Sequence, residues 1–471
     1  MTITSLCYGG YAPDAFHKKV GIVGKGPHEK NVIKLKTKQT KVIKLSPLDY
    51  PEAFIWTPLL IPFENINHEE EFMPDDRLIA SLKHVIERVP IITGKLERVD
   101  GTPMNLDGPN SPLQVCVGRS SVWYASTNIS GSFQDFKASG FSYETMDPDF
   151  LFRAANDAII QGQEYPLFTA KVSRFDCGSI LLLVTTCHLI VDARSTYELL
   201  KTWSMIYCGI PDAPLIKESR HLFSYDDELN ERSKLLYNEL EKPASPSSPP
   251  PNKLIKLVYA SIDDTKFKAF KERINAEIAP AWVSSDDVML GLGWRAFTRA
   301  RQLNPTDTTT LVRIADVRKL NQPSLPPTAF GNGCMGTATS PLSVKTLLES
   351  PLSQICQLVR ASLARINAET VRDTLTARSK LPAVSHPLGG TSIAFSTNAF
   401  STSYASFDPT QIDFQNSPAL TVTRACYTEG VITPQPIVNN IYSCKLAIDS
   451  THAQDFIRDP DLTKAGFTLK L

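Results

Sequence analysis

The chain has 471 residues, and its 49 Lys and Arg residues balance 49 Asp and Glu residues, so its formal net charge is zero. This balance argues against a nucleic-acid-binding protein, whose affinity for phosphate requires an excess of Lys and Arg. Hydrophobic residues make up 42% of the chain and charged residues 21%, a composition typical of globular proteins with a sizeable core. The length predicts two domains.

The first residues of the chain lack the basic flank and apolar run of a signal peptide. The most apolar stretch, Ile180–Val191, is far shorter than the roughly 20 residues that a membrane-spanning helix needs. Nine scattered cysteines include no C-x-x-C pair, and no metal-ligand spacing is present. These features predict a cytoplasmic protein with reduced thiols, no membrane span and no metal site.

Helix and strand patterns alternate along the first half of the chain. Apolar residues recur at helical spacing over 74–89 and again over 193–206. Between these two predicted helices, Ser179–Cys187 is a largely apolar run that suits a buried strand. The first half therefore predicts mixed helix and strand.

Residues 242–252, KPASPSSPPPN, form a Pro/Ser-rich run that favours neither a helix nor a central strand. Because this run lies near the midpoint of the chain, it predicts an exposed linker between two domains of similar size. The predicted boundaries are 1–241 for the N-terminal domain, 242–252 for the linker and 253–471 for the C-terminal domain.

The second half has the same mixture of patterns. A helix is predicted over 285–301, which begins with Ser-Asp-Asp and ends near two arginines, charges that suit both ends of a helix dipole. Apolar spacing predicts another helix over 352–366. Residues 420–427 and 438–448 are rich in β-branched and aromatic side chains and predict strands. The fold class predicted for the chain is α/β.

His188 and Asp192 are the best candidates for a catalytic site. His188 follows the predicted buried strand, and Asp192 stands at the start of the next helix. Imidazole titrates near neutrality, so a histidine held at a strand end can take a proton from an alcohol or amine. Asp192 would accept hydrogen bonds from the turn or form a buried ion pair. The alternative to a catalytic role is a structural one, in which the histidine is packed beside an apolar run.

Other segments accompany this pair in a distinctive order. They are Leu45–Asp49, Ser285–Asp287, Asp316–Arg318, Phe330–Asn332, Thr402–Tyr404 and Asp413–Phe414. In this order and spacing, the sequence resembles the BAHD acyltransferases of plants and fungi, within the chloramphenicol-acetyltransferase-like superfamily. The resemblance spans about residue 43 to the C-terminus.

The resemblance implies two similar chloramphenicol-acetyltransferase-like domains, each a mixed β-sheet flanked by helices, joined by a long crossover loop at 242–252. A channel between the domains would have His188 at its centre. The resemblance also implies acyl-CoA as a co-substrate, with no permanently bound cofactor, and a hydroxyl or amine of a small specialised metabolite as the acceptor. The family is usually monomeric, so a monomer is expected.

By the same resemblance, His188 is the general base that deprotonates the acceptor. Asp192 matches a structural residue that turns away from the substrate and pairs with an arginine. Arg318 is a plausible partner of Asp192 or of Asp413, and the sequence does not choose between them. Arg318 and Asp413 are therefore expected to support the site rather than to react.

The resemblance also implies roles for three residues of the second half. Thr402 matches a position whose hydroxyl helps to hold the tetrahedral oxyanion, the charge that develops in the transition state. Tyr404 and Asn332 would line the substrate pocket. For Tyr404, an ordinary core aromatic is an equally good interpretation.

The main departure from the family lies at 413–417. The family pattern D-F-G-W-G reads Asp413-Phe-Gln-Asn-Ser417 here, so Gly-Trp-Gly is lost. In the family this segment is mainly architectural and lies near the coenzyme A channel. The loss leaves two alternatives open: the same fold with altered chemistry, such as a cyclase or dehydratase that uses His188, or a non-catalytic ligand-binding homologue.

Overall fold

The architecture is a pair of mixed β-sheets with flanking helices. The computed structural model describes residues 23–33, 41–49, 56–101, 112–142, 166–210, 213, 216–240, 254–381, 397–425 and 428–471. The predicted linker at 242–252 lies outside these residues. Within the described part of the chain, no helix has both the length and the apolarity needed to cross a membrane.

Strands and helices are interspersed in the first half. The strands are β1 (Val23–Ile33), β2 (Val42–Lys44), β3 (Trp56–Phe63), β4 (Lys95–Arg98), β5 (Leu113–Cys116), β6 (Val122–Ser130), β7 (Phe168–Phe175), β8 (Ile180–Cys187) and β9 (Lys217–Glu218). The helices are α1 (Asp75–Arg88), α2 (Phe133–Ala138), α3 (Ala193–Tyr207) and α4 (Glu231–Leu240). The two predicted helices and the predicted buried strand are therefore present as α1, α3 and β8.

The second half has longer helices beside a larger sheet. The strands are β10 (Ile255–Asp263), β11 (Thr308–Thr309), β12 (Leu311–Asp316), β13 (Ala329–Phe330), β14 (Cys334–Ala338), β15 (Leu342–Ser343), β16 (Ala399–Ser401), β17 (Asp413–Phe414), β18 (Ser417–Pro418), β19 (Thr423–Arg424), β20 (Val431–Pro434), β21 (Ile441–Asp449) and β22 (Thr468–Lys470). The helices are α5 (Asp264–Ile278), α6 (Ser285–Ala300), α7 (Val344–Glu349), α8 (Leu352–Ala364), α9 (Ala368–Ser379), α10 (Ala453–Phe456) and α11 (Pro460–Ala465).

Two predicted strands differ in extent from those observed. Of the strand predicted over 420–427, the described residues 420–425 form β19, because this segment crosses to the other half and pairs with β3 over two residues. The strand predicted over 438–448 begins later, at Ile441. Asn439 and Asn440 have positive φ angles of 51° and 59°, so they form a turn before β21 rather than part of it.

A six-stranded sheet is the frame of the first half. Its strand order is β1-β6-β7-β8-β3-β19, and β6 and β7 are parallel whereas the other neighbours are antiparallel. β8 is buried along its whole length between β7 and β3. Burial on both faces explains why its sequence is continuously apolar rather than alternating. The backbone of His188, the residue that follows β8, is therefore attached to a rigid strand.

A seven-stranded sheet, of order β14-β12-β16-β20-β21-β10-β22, is the frame of the second half. β12, β16 and β20 run parallel to one another. The carboxyl ends of parallel strands meet at one edge of a sheet. Arg318, two residues beyond β12, and Thr402, directly after β16, consequently leave the sheet at the same edge.

Three large hydrophobic clusters account for the packing of the two sheets. One lies between the six-stranded sheet and helices α1 and α3, and another lies between the seven-stranded sheet and its helices. A third joins the facing sides of the two sheets, with Leu181 and Leu183 from β8 against Leu257 and Ala447. The predicted α/β class, with mixed sheets flanked by helices, is confirmed. The domain boundaries remain a prediction.

Candidate active site

His188 lies in a tight turn between β8 and α3. The Ile190 amide donates to the Cys187 carbonyl at 3.0 Å, which closes the turn. Asp192 then caps α3, since its Oδ1 accepts a hydrogen bond from the Ser195 amide at 2.9 Å. His188 is partly exposed, whereas both of its chain neighbours are buried. The residue is therefore partly accessible, although Nδ1 of its ring is buried, and its backbone is anchored at both ends.

Asp192 forms a buried, two-point ion pair with Arg318. Arg318 Nη1 lies 2.9 Å from Asp192 Oδ2, and Nη2 donates to Oδ1 at 3.0 Å. Both side chains are almost completely inaccessible. Burial alone would raise the pKa of Asp192, but the charge of Arg318 and its hydrogen bonds hold that pKa below the ordinary value. Of the two carboxylates that the sequence left open for Arg318, the structure places Asp192 against it.

Backbone carbonyls and a glycine complete the surroundings of Arg318. Its Nε donates to the Ala329 carbonyl at 3.0 Å, and Nη2 donates to the Gly331 carbonyl at 2.8 Å. The Gly333 amide donates to Asp192 Oδ2 at 2.8 Å. A Cβ atom at position 333 would lie 2.6 Å from the guanidinium carbon, so this close approach requires glycine. Residues 329–333 thus act as a rigid cradle for the pair.

A second buried pair, Asp49 with Arg220, supports the same turn. Arg220 Nε donates to Asp49 Oδ2 at 2.9 Å, and both side chains are buried. Arg220 Nη2 donates to the carbonyl of Ile190, within the turn that follows His188. Asp49 belongs to a segment that resembles the family, whereas nothing in the sequence indicated Arg220 as a site residue. The two residues are 171 positions apart, so no local pattern could have paired them.

Asn332 connects the second pair to His188 itself. Its Nδ2 donates to Asp49 Oδ1 at 2.8 Å and to the carbonyl of His188 at 2.7 Å. Its accessibility is 0%, which differs from the expected position on a pocket wall. Buried donors therefore hold two carbonyls of the turn, that of His188 and that of Ile190. This arrangement suits a residue that positions His188 rather than one that touches a substrate.

Thr402 stands at the edge of the second sheet where Arg318 also lies. Its amide donates to the Ile432 carbonyl at 3.2 Å, so the ladder continues one residue past β16. Ala399 packs with the helices, whereas Phe400 packs between the sheets. Strand alternation therefore turns Thr402, which is partly exposed, toward the first sheet.

Helix α3 ties the loop after Thr402 to the first half. Arg194 Nη2 donates to Ser406 Oγ at 2.7 Å, and the Tyr197 hydroxyl donates to the Asp408 carbonyl at 2.9 Å. Because α3 starts directly after Asp192, these contacts bring the loop beside the His188 turn. The segments that follow Asp192 and Thr402, from opposite halves of the chain, are thus in contact.

Tyr404 is 2% exposed and belongs to the hydrophobic cluster of the first sheet. Its ring contacts Phe407 edge-on, with centroids 5.1 Å apart. The Tyr404 amide donates to the Pro434 carbonyl at 2.9 Å. These surroundings favour the core-aromatic interpretation of Tyr404 over the pocket wall.

The 413–417 segment is a β-hairpin whose two central residues, Gln415 and Asn416, have φ angles of 57° and 54°. Positive φ at both positions is the backbone of a two-residue hairpin turn, where glycine or asparagine is favoured. Burial raises the pKa of Asp413 above its ordinary value. Asp413 is thus placed in the hairpin and not in the ion pair of Arg318.

Phe414 and Gln415 hold this hairpin against the first half. The Phe414 ring packs edge-on against three aromatic rings. Their centroids lie 5.5 Å away for Phe63, 5.5 Å for Trp203 and 5.2 Å for Tyr207. Gln415 Oε1 accepts hydrogen bonds from the Tyr207 hydroxyl at 2.8 Å and the Met73 amide at 3.0 Å. The Gln415 amide therefore supplies contacts in place of the lost Gly-Trp-Gly.

Comparison with known proteins points to one family. A family model described as Transferase family matches residues 28–415. An omega-hydroxypalmitate O-feruloyl transferase of Arabidopsis thaliana is 25% identical over 49% of this chain and 51% of that protein. A shikimate O-hydroxycinnamoyltransferase of Nicotiana tabacum is 26% identical over 45% of this chain and 50% of that protein. The chain thus spans about half the length of these curated relatives.

Solved structures with the same fold cover nearly the whole chain. TRI101 of F. sporotrichioides, complexed with coenzyme A and T-2, has a TM-score of 0.75 at 15% identity and covers 91% of this chain and 99% of its own. Vinorine synthase has a TM-score of 0.65 at 13% identity and covers 92% of this chain and 96% of its own. At these identities the likeness shows the fold.

Proposed function

The chain belongs to the Transferase family, the BAHD acyltransferases, and on this premise we propose that it moves an acyl group from acyl-CoA to a hydroxyl of a small specialised metabolite. An amine acceptor is the close variant, since the similar proteins include an O-feruloyl transferase and an N-benzoyltransferase. The enzyme would act as a monomer, without a permanently bound cofactor. The observation that carries the proposal is the partly exposed His188 on a turn fixed by two buried ion pairs.

His188 would be the general base of the reaction. A nitrogen of its imidazole takes the proton of the acceptor hydroxyl while the oxygen attacks the thioester carbonyl carbon. The resulting tetrahedral intermediate carries a negative oxygen, and the hydroxyl of Thr402 would donate a hydrogen bond to it. The carbon–sulfur bond then breaks, and the coenzyme A sulfur receives the proton from His188. The products are the acylated acceptor and free coenzyme A.

Asp192 and its partners would act through the position of His188. The Asp192 carboxylate is fully engaged with Arg318 and the two backbone amides of Ser195 and Gly333. It is therefore not available to take a proton from the acceptor. Its contribution would be to hold the His188 backbone in place. Acceptor and donor would then meet in line, and this orientation lowers the barrier to acyl transfer.

Coenzyme A in the TRI101 structures supports acyl-CoA as the donor here. The loss of Gly-Trp-Gly motivated the two alternatives of altered chemistry and ligand binding. The hairpin at 413–417 is nevertheless formed, with Gln415 and Phe414 contacting the first half. No contact of this hairpin favours either alternative over acyl transfer.

Mass spectrometry of the products tests the proposal. Wild-type protein is incubated with a panel of acyl-CoA donors and hydroxylated or amino acceptors, alongside His188→Ala. We expect an acylated product from the wild type and a loss of about a hundredfold or more in the variant. His84→Ala is the matched control, because His84 is exposed on α1. Undiminished turnover by His188→Ala would reject the proposal.

A further inference from the structure

A cavity of about 780 Å³ lies between the two halves of the molecule. One wall is the segment 137–142, at the end of α2, and the opposite wall is formed by β10 and β21 of the seven-stranded sheet. None of the seven residues singled out from the sequence lines it. The cavity is therefore additional to the His188 turn, and its chemistry can be considered on its own.

The side chains that line this cavity carry charge of one sign. Four lysines, Lys137, Lys256, Lys445 and Lys470, line it, and none of its lining residues is Asp or Glu. Of these four, Lys137 forms an ion pair with Glu64 at 2.6 Å. The cavity is consequently a cationic environment in a chain whose net charge is zero.

Lys445 is the most unusual of these lysines, because it is 3% exposed. Its Nζ lies 3.5 Å from the Phe141 carbonyl, and no carboxylate of the described residues forms an ion pair with it. Burial lowers the pKa of Lys445 to about 7. A buried ammonium without a counter-ion is costly. A bound anion would supply the missing counter-ion.

Gln435 adds a second, independent observation on the same wall. It is buried and lines the cavity, and its Nε2 donates to the Thr433 carbonyl at 3.0 Å. Its Oε1 has no hydrogen-bond partner among the described residues. A buried acceptor of this kind is expected to be satisfied. A hydroxyl or amide N–H of a ligand would satisfy it.

The strand register places this wall beside Thr402. On β21, Cys444 and Leu446 pack with the helices, so alternation turns Lys445 toward the first sheet, the same side as Thr402. Lys445 pairs with Thr433 on β20, and β20 pairs with β16, which leads into Thr402. Neighbouring strands are about 4.8 Å apart, so the backbones of Lys445 and Thr402 are roughly 10 Å apart.

We propose that this cavity is an anion-recognition subsite of the acyl-transfer channel, in which Lys445 binds a phosphate or carboxylate of a substrate and Gln435 accepts a hydrogen bond from the same molecule. This inference rests on the proposed function, because it needs a substrate that reaches Thr402. Two sources have this chemistry: the phosphates and amides of acyl-CoA, and an acceptor that carries both a carboxylate and a hydroxyl.

Binding at this subsite should depend on pH. The titratable side chains that line the cavity with Lys445 are the cationic Lys137, Lys256 and Lys470, together with Tyr259; Leu471, the last residue of this sequence, also lines it. A bound anion favours the charged form of Lys445 and therefore raises its pKa. We expect Lys445 to take up a proton when the anion binds near pH 7. Binding should weaken as the pH rises above 7, because Lys445 is then uncharged in the absence of ligand.

Titration calorimetry on wild type, Lys445→Met and Lys464→Met tests the proposal. The ligands are coenzyme A with pantetheine as its phosphate-free counterpart, and shikimate with its methyl ester as the uncharged counterpart. Lys464 is an exposed lysine of α11 outside the cavity, so its variant controls for a change in net charge. We expect Lys445→Met to weaken one anionic ligand about tenfold or more, and its uncharged counterpart less than about twofold. The affected ligand identifies the source of the anion.

Three results would overturn the proposal. They are equal losses for charged and uncharged ligands, losses in Lys464→Met as large as those in Lys445→Met, and absence of Lys445-dependent binding of either anion. If Lys445→Met does not fold, Lys445→Gln is measured with the same thresholds. If acyl transfer is lost in His188→Ala but ligand binding is unchanged in Lys445→Met, the subsite is rejected and the proposed function stands. If Lys445→Met weakens binding of the anion but the wild type transfers no acyl group, the proposed function is rejected and the anion site stands.

Discussion

The turn at 188–192 and the hairpin at 413–417 are both short connections that pack beside the first sheet, yet different forces hold them. Two buried Arg–Asp pairs hold the turn. The hairpin is held by the aromatic contacts of Phe414 and by the uncharged side chain of Gln415, which accepts from Tyr207 and Met73 and donates to the Glu69 carboxylate. The turn therefore depends on buried ion pairs, and the hairpin depends on packing and on the hydrogen bonds of an uncharged side chain.

This difference explains which family features the chain has and which it lacks. A buried ion pair needs both partners, because the loss of one leaves a charge without compensation. Neutral contacts of similar size can replace one another at a smaller cost. The chain accordingly has the His188, Asp192 and Arg318 pattern, whereas its hairpin departs from Gly-Trp-Gly and is still formed.

The largest effect is expected from breaking a charge contact of the turn. Arg318→Met leaves Asp192 buried without its partner, and we expect a loss of about 4 kcal/mol in the free energy of unfolding. Urea unfolding measures this loss. Arg372→Met is the matched control, because Arg372 is an exposed arginine paired with Asp226, and it should change little. Equal stability of the two variants would contradict the assignment of charge as the force that holds the turn.

A smaller loss is expected from the packing of the hairpin. Phe414→Ala removes a ring that touches three others, and we expect the free energy of unfolding to fall by roughly 3 kcal/mol, near the low end for such truncations. The two-residue strands of the hairpin allow part of the space to close. Urea unfolding again provides the measurement, with Phe414→Leu as the conservative variant. If Phe414→Leu lost as much as Phe414→Ala, packing volume would not be the cause.

The smallest effect is expected at the tip of the hairpin. Asn416 is exposed and has a φ of 54°, a region that glycine occupies without steric cost. We therefore expect Asn416→Gly to raise the free energy of unfolding slightly, by about 0.5 kcal/mol. Thermal unfolding can resolve the gain against Asn416→Ala, which should lower stability. A loss in Asn416→Gly would show that the asparagine side chain makes a contact that matters.

The sequence predicts well those features that depend on residues within one short segment. The apolar run before His188 predicted β8, and the observed strand begins one residue later than expected. The sequence also predicted Asp192 at the start of a helix, and its side chain caps α3 by accepting a hydrogen bond from the Ser195 amide. In each case one short segment contains all the residues that determine the feature.

The remainder depends on residues that are far apart in the chain. The pairing of Arg220 with Asp49, and the contact of Asn332 with the His188 carbonyl, join segments with no shared pattern. The choice of Asp192 over Asp413 as the partner of Arg318 depends on where β12 ends in the second sheet. Lys445 appears in the sequence as one lysine of a predicted strand, and only the packing of the two halves shows that it is buried.

The central claim is that His188 acts as the base on a turn that buried charges hold in place. A single-turnover measurement tests it most directly, with one donor and acceptor pair from the product screen and the enzyme in excess over acyl-CoA. The account predicts that His188→Ala lowers the rate of acyl transfer by about a hundredfold or more while its affinity for coenzyme A stays within about twofold of the wild type. A rate in His188→Ala close to that of the wild type would contradict the claim.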